Sequence, residues 1–190
     1  MPRSLLPLLF VALTGIGLSP LASATEDPAL FSADGYRQTQ YRSPTPATAE
    51  GAQTVDTATL QRLLAERSDM LLVDVYRRQW LAGQFIDNEA HANLPGSVWL
   101  ANTGDGSLTP QWADYFSKNL ARITAGDLQR PLVFYCRSDC WLGWNATRRA
   151  RALGYTDLYW YRDGIDGWEQ AGLPLHPAAP EPVQSSQHAD

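Results

Sequence analysis

Cys136 and Cys140 are the only cysteines in the chain. Both lie in YCRSDCWLGWNATRRARALGY, between an apolar run that ends at Cys136 and a helical pattern under way by Leu142–Trp144. A tight loop that feeds a helix turns its backbone N–H groups into its own concavity. Together with the helix N-terminus those groups favour a thiolate, the form of sulfur that attacks sulfur. The pattern describes a nucleophilic cysteine at 136, although position alone also fits a small buried residue closing a strand. Three roles are open to Cys140: resolving partner of Cys136, second thiol in a sulfur relay, or structural loop residue. A disulfide needs Cα atoms about 4.4–6.8 Å apart, which a curled loop supplies and an extended one does not. Beside Trp141 and the helix, Cys140 is expected to turn its sulfur toward the loop edge, leaving Cys136 as the reactive thiol. No metal is expected, since a site needs three or four ligands and His91 is the one domain histidine with any case.

The elements around the loop follow from periodicity. Thr57–Glu66 carries Leu60, Leu63 and Leu64 at helical spacing, with Asp56 or Thr57 as N-cap. MLLVDV (Met70–Val75), SVWLAN (Ser97–Asn102), PLVFYC (Pro131–Cys136) and DLYWYR (Asp157–Arg162) are four runs of strand length. Pro110–Leu120 and Trp144–Leu153 read as helices, the second stopped by Gly154. Alternating strands and helices predict an α/β domain with a mainly parallel sheet and helices on both faces. Near-continuous apolar strands agree with burial on both sides. Ligands in such sheets bind beyond the carboxyl ends of the strands, where Cys136 stands.

Residues 1–24 have one charge, Arg3, then an apolar stretch, then small residues before Thr25. That is the layout of a secretory signal peptide, with the mature chain expected to start near Thr25. Gly15, Gly17 and Pro20 break the run short of the ~20 apolar residues of a span. In a bacterium the destination is the periplasm, where paired thiols tend to oxidise. Removing Arg3 with the leader moves the formal net charge from −5 to −6. An acidic chain with no Lys/Arg run lacks the footprint of a nucleic-acid binder. Residues 25–54 read as an irregular arm: Pro44 and Pro46 block helix, while Phe31, Tyr36 and Tyr41 offer anchors against the domain. Residues 55–176 form the domain, and 177–190, without aromatics, read as a flexible tail.

Several pieces resemble the rhodanese-like family. LLVDV followed by HANLPGSVWL resembles its early strand and the turn into the next strand. FYCRSDC resembles its active-site cysteine loop. ATRRARALGYTDLYWYRDGIDGWEQAGLP resembles the following helix, strand and Gly-Gly-x-x-x-Trp segment. CWLGWNATRRA, YWYRDGIDGW and GYRQTQYRSPTPAT are similar to a subgroup of exported members associated with PQQ-dependent catabolism and labelled by a Cys-x-x-Cys-Trp motif. Here three residues, not two, separate the cysteines.

The resemblance implies sulfur transfer without a cofactor. Cys136 takes the outer sulfur of a small donor such as thiosulfate, becomes a persulfide, and passes the sulfur to a thiophilic acceptor. It makes Arg137, Ser138, Asp139, Cys140 and Trp141 the substrate-binding loop, with Arg137 attracting an anionic donor. Asp139 stands where glycine is common, and its Cβ makes a left-handed backbone costlier. For the subgroup, the implied partners are a periplasmic quinoprotein dehydrogenase or cytochrome c. Two other functions stay open: a weakly catalytic or non-catalytic module that binds such a partner, and a thiol–disulfide protein using Cys136 and Cys140.

Outside the loop, His91 and Asp74 are expected to support structure. Of Arg148 and Arg149, one should be solvated and the other could face a carboxylate. Trp141 and Trp144 either pack on the arm or sheet or form an apolar rim at the sulfur site. Trp99, Trp160 and Trp168 are expected in the core.

Overall fold

The computed structural model describes residues 27–184, so the expected leader lies outside the described residues. After a short 3-10 helix at Pro28–Leu30, the elements run in chain order β1 (Gln53–Val55), α1 (Thr57–Glu66), β2 (Leu71–Asp74), β3 (Trp80–Leu81), β4 (Gln84–Phe85), β5 (Ala92–Asn93) and β6 (Val98–Trp99). Then follow α2 (Pro110–Ile123), β7 (Leu132–Tyr135), α3 (Trp141–Ala152), β8 (Leu158–Tyr161), α4 (Gly164–Gln170) and β9 (His176–Pro177). The central sheet runs β1-β8-β7-β2-β6 with every pair parallel. β3–β4 and β5–β9 are small antiparallel ladders outside it. Among the described residues no helix is long and apolar enough to cross a membrane.

The sheet is covered on both faces. Leu132 and Phe134 of β7 pack with Phe116 and Leu120 of α2 and Ala146 and Ala150 of α3. Val133 and Tyr135 turn to the other face and meet Leu60 of α1 and Ile165 and Trp168 of α4. This is the period-2 alternation of a strand with no solvent side. Asp56 caps α1 by accepting from the Thr59 N–H at 2.8 Å. Pro110 opens α2, where its missing N–H costs nothing. Trp99, Trp160 and Trp168 are all buried.

Some expectations need correction. SVWLAN pairs only over Val98–Trp99, because the chain turns at Ala101–Gly104. A fifth strand, β1, extends the sheet edge across the expected boundary between arm and domain. Its three residues are too few to show a period. GIDGWEQ is helix α4, a segment whose two glycines hide its helical spacing. Residues 177–184 are not a loose tail. Pro177 pairs in β9, the Glu181 N–H donates to the Trp99 carbonyl at 2.9 Å, and Arg122 binds the Glu181 carboxylate at 2.7 Å. These contacts are backbone and charge interactions, which composition does not report.

Candidate active site

Cys136 follows the last residue of β7, at the carboxyl end of the sheet. Its carbonyl accepts from the Ile165 N–H of α4 at 3.0 Å. Gly164 makes that approach possible: a Cβ there would lie 2.5 Å from the Arg137 carbonyl carbon, and its φ is +59°. The chain then curls through Arg137–Asp139 into α3. Asp139 takes φ +46°, the left-handed conformation for which glycine is usual. The curl brings the Cα atoms of Cys136 and Cys140 to 6.1 Å, and the two sulfurs are joined in a disulfide. The Cys140 sulfur thus turns inward to Cys136, not to the loop edge, and both residues are buried.

The arm forms the second wall. Arg42 and Cys140 make an antiparallel bridge, with the Ser43 N–H donating to the Asp139 carbonyl and the Trp141 N–H to the Tyr41 carbonyl. Between arm and loop lies a cleft of about 540 Å³ that reaches both cysteines. Tyr41 and Arg42 of the arm, Tyr76 and Arg77 beyond β2, and Leu142 of α3 line it. Arg77 lies over the Tyr41 ring at 4.5 Å and donates to Asp105 at 2.6 Å. The Tyr41 hydroxyl accepts from the Gly106 N–H, and partial burial raises its pKa.

Trp141 is fully buried and does not line the cleft. It is the arm's main anchor: its ring meets Phe31 at 5.5 Å and the Arg37 guanidinium at 4.8 Å, and its Nε1 donates to Ser43. Trp144 donates to the Thr48 carbonyl, so both tryptophans pack on the arm. Asn145 is buried and pairs with the Arg37 N–H, the Arg37 carbonyl and the Gly104 carbonyl. Neither arginine that follows meets a carboxylate. Arg149 donates to the Thr103 and Asp105 carbonyls, and Arg148 to the Gly35 carbonyl.

On the opposite flank the loop binds α4. Asp166 accepts from Arg137 Nε at 2.9 Å and Nη2 at 2.5 Å, and from the Ser138 N–H and Oγ at 3.0 and 2.9 Å. Partial burial pushes the Asp166 carboxyl up, but the Arg137 and Ser138 hydrogen bonds outweigh it and hold it below the usual carboxylate range. Arg137, the residue expected to attract an anionic donor, is therefore held outside the cleft. Asp139 also points away, 3.8 Å from Arg162.

Behind the cleft, Asp74 ends β2 fully buried. It accepts from the Tyr76 N–H at 2.8 Å and pairs with His91 Nε2 at 2.6 Å. Burial pushes its carboxyl up and the His91 hydrogen bond offsets part of that. His91 stacks on Tyr76 with ring centroids 5.0 Å apart, so the pair braces a cleft wall. Among the described residues no cluster of three His, Cys, Asp or Glu is placed to hold a metal ion.

The site residues missed from sequence are Tyr41, Arg42, Tyr76, Arg77 and Asp166. Tyr76 and Arg77 were within reach of the strand-end rule, since they directly follow MLLVDV. No local signal marks Asp166, whose role depends on a residue 29 positions earlier.

A parallel sheet covered on both faces, with a cysteine loop between its central strand and a helix, defines the class. A family model for the rhodanese-like domain matches residues 56–171. The chain belongs to the rhodanese-like domain family. No curated protein matches it. Similar solved structures include the polysulfide-sulfur transferase homodimer from Wolinella succinogenes, at 18% identity over 74% of this chain and 84% of that chain, TM-score 0.44. A human single-domain sulfurtransferase is 25% identical over 63% of this chain and 96% of that chain, TM-score 0.41. The 3-mercaptopyruvate sulfotransferase SseA from Escherichia coli is 18% identical over 69% of this chain and 54% of that chain, TM-score 0.47.

Proposed function

We propose that this protein is a periplasmic sulfurtransferase that carries sulfur as a persulfide on Cys136. The observation that carries the reading is the position of Cys136, at the carboxyl end of the central strand and open to a cleft. A dithiol reductant first opens the Cys136–Cys140 bond and is itself oxidised. The Cys136 thiolate then attacks the outer sulfur of the donor. A new S–S bond forms, the donor's own S–S bond breaks, and its electron pair leaves with the remainder. The acceptor thiophile takes the outer sulfur by the same displacement, which returns the Cys136 thiolate. The start of α3 favours the thiolate.

Export is supported by the layout of residues 1–24. The link to PQQ-dependent alcohol catabolism, with a quinoprotein dehydrogenase or cytochrome c as partner, rests on the resemblance of the loop, α3 and arm sequences. N-terminal sequencing of the periplasmic fraction tests cleavage of the leader, and an intact Met1 there refutes a mature start near Thr25. The disulfide favours a second reading, a thiol–disulfide protein in which Cys136 and Cys140 cycle without carrying sulfur. Intact-mass analysis separates the two. The reduced protein is treated with several sulfur donors, and one added sulfur that Cys136→Ser cannot acquire supports sulfur transfer. If no donor adds sulfur while an oxidant restores the disulfide, the second reading holds.

A further inference from the structure

Several of the loop's own anion-binding groups are already occupied. Arg137 and Ser138 bind Asp166 on the α4 flank, and the first N–H of α3 binds the Tyr41 carbonyl. Arg137 and Ser138 do not line the cleft, so a small inorganic dianion entering it would not meet their side chains. What it would find is a space of about 540 Å³, within the range of roughly 300–1,000 Å³ that holds organic ligands. Two aromatic side chains, Tyr41 and Tyr76, and Leu142 give that space its walls. Its positive charge comes from Arg42 and Arg77, both about half exposed. Among the described residues, Arg77 hydrogen-bonds only through Nε to Asp105, and Arg42 only through Nη1 to Asp166. Each guanidinium keeps further N–H donors for a ligand.

We infer that the cleft selects an organic persulfide bearing a carboxylate, of amino-acid or short-peptide size, over thiosulfate, and that Arg77 and Arg42 are its specificity residues. The inference rests on the sulfurtransferase reading above. The carboxylate meets the two guanidiniums, the carbon frame lies against Tyr41, Tyr76 and Leu142, and the sulfane sulfur faces Cys136. The reduced Cys136 thiolate bonds to that outer sulfur as the donor S–S bond breaks. The donor leaves as its thiolate, so no oxidant is needed. This makes the arm, through Tyr41 and Arg42, part of the substrate site.

The test measures the rate at which reduced full-length protein gains one sulfur by intact mass. The donors are glutathione persulfide, a neutral alkyl persulfide and thiosulfate. Glutathione persulfide is expected to load fastest and thiosulfate slowest. Arg77→Gln is expected to slow glutathione persulfide roughly tenfold, the size of one charge-assisted hydrogen bond, and to slow the neutral persulfide much less. Arg42→Gln should act in the same direction. The neutral donor also reports whether each variant stays folded. Thiosulfate loading as fast as glutathione persulfide, or equal losses with charged and neutral donors in both variants, overturns this inference while leaving sulfur transfer intact. Loading by none of the three overturns the sulfurtransferase reading itself.

Discussion

The two flanks of the Cys136–Cys140 loop are built differently. On the α4 flank one carboxylate, Asp166, gathers Arg137, the Ser138 N–H and the Ser138 hydroxyl into a tight set of charge-assisted bonds and also reaches Arg42 at 3.4 Å. On the arm flank the backbone is bridged at Arg42–Cys140, but the side chains around it leave an open cleft. The first flank fixes the loop's shape, and the second presents its sulfur. A residue's place in the motif therefore does not reveal what its side chain does. Arg137, next to the cysteine, holds structure, while Arg42, nearly a hundred residues before Cys140, faces the cleft.

The comparison is tested most severely at the sulfurs. Cys136→Ser is expected to abolish sulfur loading with every donor, whereas Cys140→Ser should leave it measurable under reducing conditions. Full loading of Cys136→Ser would move the chemistry to another residue.

Removing the arm's anchor comes next. Trp141→Ala should cost about 3–5 kcal/mol in denaturant unfolding, the usual cost of a large buried aromatic. It should also expose residues 27–45 to limited proteolysis. An arm that stays protected would show that Asn145 and Arg148 suffice to hold it.

The closed flank is opened by Asp166→Asn. Loss of the carboxylate frees Arg137, and thiosulfate loading is expected to rise roughly tenfold, one charge-assisted hydrogen bond's worth. No rise would mean that Arg137 cannot reach the cleft even when unpaired. The pH dependence follows the depressed folded-state pKa of Asp166. Its stabilising effect is present above the ordinary carboxylate range and is lost only as pH falls through the lowered value. Donor preference in the wild type should therefore stay flat across the neutral range.

The smallest effect is expected at Asp139. Asp139→Gly relieves a left-handed backbone but enlarges the freedom of the unfolded chain. The two oppose each other, so stability should shift by less than about 1 kcal/mol. A larger loss in the thermal midpoint would assign Asp139 a binding role beyond its 3.8 Å approach to Arg162.

Much of the sheet was legible in the sequence. MLLVDV, PLVFYC and DLYWYR announce strands because burial on both faces demands uninterrupted apolar residues, and that demand is local. The same logic put Cys136 at a strand end, since the run stops there. SVWLAN shows the limit: its apolar content reflects burial in a turn as much as pairing, and only Val98–Trp99 pair. For the arm, the sequence offers only that prolines disfavour helix and aromatics seek cover. Its course was not legible.

By itself, the sequence determined an α/β domain and a cysteine loop ahead of a helix, for these depend on neighbours within a few positions. Only the tertiary structure decided that Arg42 bridges Cys140, that Trp141 grips the arm, and that Asp166 takes Arg137 out of the cleft. Each of these joins residues 29 to 98 positions apart through a hydrogen bond or an ion pair. Such contacts need one complementary atom at the right distance, and a single polar residue in a chain does not say which distant partner the fold will bring to it.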